Sequence, residues 1–341
     1  MKAPEAEGQT PAVKATQDRT ERQRRLASIA QSIALPVAWV LVIITFGIVN
    51  PGTFLSGRNF STIFGSQAVL VVVALGELLP LTAGDFDISV GFNLNLASVI
   101  VAVLNTEHGW PVGATILVAL AAGAVIGIVN GALVVLFGID SFVVTLGTGT
   151  LVSGVILVVS RSLIFSGISK SLTDAVIGKR FLGIPIGFYY GLVLCILLWY
   201  FFEYTPVGRR MLFVGRGRNV SRLSGISVER MRWGAFVASG VIAAFAGGLY
   251  AGNTGGADPS SGANFLLPAM AAAFLGATTI RPGRFNAWGT IVAVYFLVTG
   301  ITGLQLLGAQ SYIQQLFYGG ALIVAVVLSQ LSKRGEMLEE K

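Results

Sequence analysis

Soft metal ligands and charge are what this chain has least of. One cysteine, Cys195, excludes an internal disulfide framework, and one histidine, His108, leaves too few soft ligands for a zinc site. Cys195 lies in an apolar run and reads as inert packing; His108 lies in a short polar connection and reads as solvated. A Walker phosphate loop is also missing. Gly178-Lys179 is followed by Arg180, and Thr173 stands where the upstream glycine would have to be. With no nucleophile elbow and no metal-ligand cluster either, the chain is expected to be neither an ATPase nor an intramembrane enzyme, and to hold no cofactor or metal of its own. Signal-peptide architecture is not expected, because about thirty polar residues precede the first apolar run.

What fills the sequence instead is apolar surface. Hydrophobic residues make up 54% and charged residues only 11%, and the mean hydropathy of +0.78 places the chain among polytopic membrane proteins. The 43 glycines suit helices whose backbones approach closely within lipid. A net charge of +7 fits basic loops at a membrane and is not read as nucleic-acid binding. The expected fold is all-α, a polytopic bundle of about ten transmembrane helices. Spans are expected near 29–49, 66–83, 88–104, 112–137, 142–159, 186–204, 233–251, 265–280, 288–301 and 312–331. Residues 1–28 read as a disordered cytoplasmic segment, 29–331 as the membrane domain and 332–341 as a cytoplasmic tail. Of 23 Lys and Arg, 18 fall on the side that this division places inside, which supports both termini facing the cytoplasm.

Four stretches interrupt the apolar runs. The most basic, within the loop 203–232, reads TPVGRRMLFVGRGRNVSRLSGISV from Thr205 to Val228, with five arginines and no acid. GDFDISVG, residues 84–91, places Asp85 and Asp87 between apolar runs with a glycine at each end. Such a break can leave two half-helices pointing their ends at one another. Ser89 reads as the cap of the following helix, and Asp85 and Asp87 stay open between capping and function. Asn93 and Asn95, two apart on that helix, must point to different faces, and an interhelical hydrogen bond is expected for at least one. The remaining two are GIDSFVVTLGTGT, residues 138–150, and ATTIRPGRFNAWGT, residues 277–290.

Together these stretches resemble the membrane-spanning permease subunits of bacterial ABC importers for sugars, of the ribose, xylose and galactoside type. The basic loop resembles their coupling segment through Thr205, Gly208, Arg209, Gly215, Asn219, Gly225 and Ile226, with Arg218 where that pattern has glycine. GDFDISVG resembles G-G-I-D-L-S-V-G, with Asp85 and Phe86 in place of Gly and Ile. Phe142, Thr145, Leu146, Gly147 and Thr148 match P-F-I-x-T-L-G-T, Ser141 replacing the proline. Gly276, Thr278, Gly283, Arg284, Gly289 and Thr290 match the last segment, with Ala277 and Pro282 in place of glycines; in that family it often follows an acid that is missing here, at Leu267 or Pro268.

The resemblance implies a type II importer-like fold in the bacterial inner membrane, working as a homo- or heterodimer of permeases in the lipid bilayer. Its partners would be two ATPase subunits that bind ATP-Mg and an extracytoplasmic solute-binding protein. The basic loop would then receive the ATPases. Glu77, Asp85, Asp87, Asn93, Asn130, Phe142 and Thr145 are the candidates for the translocation pathway. Two other readings stand beside it: a permease of the same superfamily for branched-chain amino acids or nucleosides, and an ion-coupled carrier using Glu77, Asp85 and Asp87 as proton relays.

Overall fold

The structure, a computed structural model, describes the backbone of residues 11–339 and the side chains of residues 29–327. Helix α1 (Pro11–Val49) starts well before the first apolar run. Residues 11–28, which composition reads as disordered, are therefore helical in backbone, and 1–10 lie outside the described residues. Their Gln, Arg, Ala and Glu content is compatible with helix as well as with disorder. The helices α2 (Pro51–Phe54), α3 (Gly57–Ser66) and α4 (Ala68–Thr82) follow, α3 and α4 meeting at a bend of 40°. After the break at residues 84–89 come α5 (Val90–Thr106), α6 (Val112–Leu136) and α7 (Ser141–Ser160).

The polar stretch beyond α7 folds into β1 (Phe165–Ser166), α8 (Lys170–Thr173), a π-helical turn at Asp174–Gly178, and the hairpin β2 (Arg180–Phe181) and β3 (Ile184–Pro185). Next are α9 (Ile186–Tyr204), α10 (Pro206–Arg216), α11 (Arg218–Leu223) and α12 (Val228–Thr254). The strand β4 (Gly256–Ala257) pairs antiparallel with β1, and α13 (Ala263–Gly276), α14 (Ala287–Leu306) and α15 (Tyr312–Glu339) complete the chain. The charged tail expected at 332–341 continues α15 as far as Glu339, and 340–341 lie outside the described residues. The four two-residue strands are small additions to an otherwise helical fold.

The chain is a multi-pass membrane protein. Among the described residues six helices are long and apolar enough to span, or seven if α3 and α4 form one bent span. Three shorter apolar helices accompany them: α5, α13 and residues Tyr312–Val327 of α15.

Sequence explains which helix is central. In α4, AVLVVVALGELLPLT is apolar but for Glu77 and Thr82, and all of its residues are buried, as expected of a helix without a continuous polar face. It packs against α12, α13, α9 and α14. Helix α12 lies against α6, α5 and α4. Gly123, Gly127 and Gly131 line one stripe of α6 at a spacing of four, and a Cβ on Gly127 would overlap the Phe236 carbonyl of α12. The two backbones approach closely because these positions carry no side chain. Helices α4, α9 and α13 finish at one end of the bundle, where α12 and α14 begin. The short strands occupy the other.

Candidate functional site

At the end where α4 finishes, α10 and α11 form a basic arm. Thr205 caps α10, its Oγ1 accepting from Gly208 N at 3.0 Å, with Pro206 at the first helical position. Met211 and Val214 turn inward while Arg209, Arg210, Phe213 and Arg216 face out. On α11, Val220 and Leu223 are also exposed, Leu223 at 90%, beside Asn219 and Arg222. Gly225, with φ +77°, turns the chain towards α12, and Ile226 is half-buried. Gly208 and Gly215 are sites of close approach. A Cβ on Gly208 would overlap the Phe201 carbonyl, and one on Gly215 the Thr82 carbonyl at the end of α4. Gly208 and Gly215 are thus where the arm's backbone lies against α9 and the end of α4, while Gly225 serves the turn.

The break begins at Gly84, whose φ of +80° suits glycine. Asp85, only 2% exposed, holds two arginines. Arg232, at the foot of α12, donates from Nε to Oδ2 and from Nη2 to Oδ1, both at 2.7 Å. Arg218, the first residue of α11, donates from Nη2 to Oδ1 at 2.9 Å and to the Gly84 carbonyl at 2.7 Å. The sequence reading did not foresee either partner. A signal existed: Asp85 and Arg218 are positions where this chain puts a charged residue in place of a glycine of the pattern it resembles.

Two residues on, Asp87 faces a different set. Its Oδ1 accepts from Ser89 N at 3.1 Å and Ser89 Oγ at 2.6 Å, and its Oδ2 from Ser239 Oγ at 3.0 Å. Asp87 N points to Glu77 Oε1 at 3.4 Å, and Glu77 Oε2 has no hydrogen-bond partner. Ser89 does not cap α5 with its side chain. Its hydroxyl donates to the carboxylate and accepts from Asn130 Nδ2 at 2.8 Å, and Asn130 Oδ1 in turn accepts from Thr148 Oγ1 at 2.7 Å. The bond to the carboxyl group is the shorter of the two Ser89 makes.

Glu77, Asp87, Asn130 and Thr145 therefore come together, all buried. Thr145 Oγ1 accepts from Ile88 N at 3.0 Å. Asn93 donates to the Gly240 carbonyl at 3.1 Å and Asn95 to the Pro259 carbonyl at 2.6 Å, so the two do serve different faces. Phe142 stands apart on the surface at 48% exposure. Ser141, in place of the expected proline, accepts from Phe86 N at 3.1 Å, and Asp140 caps α7. A groove of about 570 Å³ lies at the other end, lined by Arg58, Phe60, Phe64, Arg180 and Leu182, away from all of these residues.

A second ionic contact, from the turn between α13 and α14, reaches the end of α9 just before the arm. Arg281 and Arg284 both donate to the carboxylate of Glu203, at the end of α9. Burial pulls the Arg284 guanidinium below its ordinary pKa, and the charge of Glu203 opposes that pull. Asn286 closes this turn: its Oδ1 accepts from Gly289 N at 2.7 Å, and its Nδ2 donates to the carbonyls of Gly276 and Thr279.

Residues 59–326 match the family described as "Branched-chain amino acid transport system / permease component". The chain is 30% identical over 291 residues to the D-allose transport system permease protein of Escherichia coli K12, covering 85% of this chain and 89% of that protein. It is 31% identical over 316 residues to the autoinducer 2 import system permease protein of Salmonella typhimurium LT2, covering 90% and 94%. To the ribose import permease protein of Bacillus subtilis 168 it is 30% identical over 320 residues, covering 93% and 99%.

Proposed function

We propose that this chain, which belongs to the family of branched-chain amino acid transport system permease components, is the membrane-spanning subunit of an ATP-driven importer for a sugar or a similar small polar solute. The observation that carries the reading is the near full-length likeness to permeases named for allose and ribose transport. Those names favour a sugar over the branched-chain amino acid in the family's description, and the family favours a transport subunit over an ion-coupled carrier or an enzyme.

In this reading α5, α13 and α15 complete ten spans, and both termini face the cytoplasm of a bacterial inner membrane. The arm lies on the cytoplasmic side, where one of two ATPase subunits holding ATP-Mg docks on Arg209, Arg210, Phe213, Val220 and Leu223, the other docking on the arm of the second permease. A second permease copy, identical or related, completes the pathway, and an extracytoplasmic binding protein delivers the solute. Exposed Phe142 lies on a surface open to the second copy. The buried groups Glu77, Asp85, Asp87, Asn93, Asn130 and Thr145 support that surface from inside the subunit.

The test is uptake of radiolabelled D-ribose and D-allose into proteoliposomes holding the whole complex, with ATP on the ATPase side and a protonophore present. Uptake is expected to require ATP, to survive the protonophore and to persist in Glu77→Gln. Uptake that continues without nucleotide and stops with the protonophore would overturn the reading.

A further inference from the structure

We infer that Asp85 is a positioning residue through which the arm pulls on the interior break, Arg218 being the arm's hold on it. The inference rests on the importer reading above and adds to it a residue and a direction of force.

Two contacts join the arm to the end of α4 and the break, and they differ in what they transmit. Gly215 lies against the Thr82 backbone with no hydrogen bond between them. Such a contact resists compression, so it passes a push and not a pull. The ionic contact works in the other direction. Arg218 Nη2 holds both Asp85 Oδ1 and the Gly84 carbonyl, at 2.9 Å and 2.7 Å, so a retreating α11 draws side chain and backbone of the break with it. A transporter that cycles needs both strokes, and among the described residues the Arg218 guanidinium is the group that hydrogen-bonds the arm to the break.

The force has a short route inward. Asp85 is 2% exposed, so separating its carboxylate from a guanidinium there is opposed by desolvation as well as attraction. Arg218 is 40% exposed and sits on the arm, while Arg232, at 13%, holds the same carboxylate from α12. Asp85 is thus shared between the arm and the central helix. Beyond it the segment has little slack. Phe86 N is held by Ser141, Asp87 by Ser89 and Ser239, and Ile88 N by Thr145. Displacement at Asp85 therefore reaches Glu77, Asp87 and Asn130, the buried polar cluster, within three residues.

The experiment reads motion at the break directly. The full complex with its ATPase is prepared with Cys195→Ala and Phe86→Cys; Phe86 is partly exposed and lies next to Asp85. The rate of labelling by a fluorescent maleimide is measured without nucleotide and with ATP-Mg plus orthovanadate. Nucleotide is expected to change that rate by about fivefold, the scale of ordinary coupling between sites. Arg218→Gln should remove most of the change, and Arg218→Lys, which keeps the charge and one donor, should restore part of it. A merely structural role would lower the unfolding midpoint of Arg218→Gln and leave the nucleotide response of the folded protein intact. An unchanged response in Arg218→Gln, or none in the parent while ATP is hydrolysed, overturns the inference and leaves the importer reading standing. A complex that does not hydrolyse ATP overturns the importer reading and the inference with it.

Discussion

The break that begins at Gly84, between α4 and α5, and the turn 277–286, between α13 and α14, are anchored at the same end of the bundle with opposite arrangements of charge. In the first, the acid belongs to the break and the arginines come from α11 and α12: Asp85 with Arg218 and Arg232. In the second, the arginines belong to the turn and the acid ends α9: Arg281 and Arg284 with Glu203. What lies behind each anchor differs more. Behind Asp85 the chain enters the bundle and reaches Glu77, Asp87, Ser89 and Asn130, all buried. Behind Arg284 it closes on itself through Asn286, and it leans outward on α1, where Thr279 Oγ1 and Ile280 N both donate to the Ser32 carbonyl. Similar ion pairs thus serve a lever in one place and a fixed corner in the other.

The largest expected effect breaks the first anchor. Asp85→Ala leaves Arg232, itself largely buried, and part of Arg218 without their counter-charge. The expected loss is about 3 kcal/mol, the low end for breaking a buried pair because Arg218 reaches water. Glu203→Ala should cost less, about 1–2 kcal/mol, since freed Arg281 is rehydrated and Arg284, at 22% exposure, reaches water more readily than Arg232 at 13%. Denaturant unfolding of the purified subunit in detergent, followed by tryptophan fluorescence, compares the two. Equal losses would mean that burial does not separate the anchors and that the contrast between lever and corner fails.

A smaller effect sharpens the corner. Asn286→Ala removes the side chain that caps α14 at Gly289 and donates to two carbonyls of the turn. The expected destabilisation is about 1–2 kcal/mol, from a lost cap and buried carbonyls left unpaired. ATP-driven uptake per folded complex should stay near the parent value. A variant as stable as the parent but deficient in uptake would make this turn a moving part too.

Much of this architecture is written locally. The apolar sequence of α4 announces a helix buried on every side, and the spacing of four between Gly123, Gly127 and Gly131 announces a close helix contact. Asn93 and Asn95 separate by helical period alone. What is not local is the pairing. Asp85 and Arg218 are 133 residues apart, Glu203 and Arg284 81, and only the fold brings them together. Ser89 shows the same limit at short range. Its position suggests a cap, but Asp87 two residues earlier offers a carboxyl acceptor, and the hydroxyl turns to it. The basic arm was legible as a unit, through its arginines and its glycines, without the residue that ties it to the interior.

The least disruptive test asks whether both anchors face the compartment that holds ATP. Both lie at the end of the bundle where α12 begins, whereas Asp258 lies just beyond its far end, after Thr254. At 1.5 Å per residue a helix of 27 residues is roughly 40 Å long, enough to cross the hydrocarbon core of about 30 Å. Gly217 and Asp258 should then open on opposite sides. Gly217→Cys and Asp258→Cys, each in a Cys195→Ala background, place single thiols at the arm and at the far loop, with little expected change in uptake. In intact spheroplasts a membrane-impermeant maleimide should label position 258 and spare 217; in inside-out vesicles the pattern should reverse. Labelling of both from the same face would mean that α12 does not cross. The arm, the break and the α13–α14 turn could not then be cytoplasmic with Asp258 outside, and docking of ATPases on the arm would lose its basis.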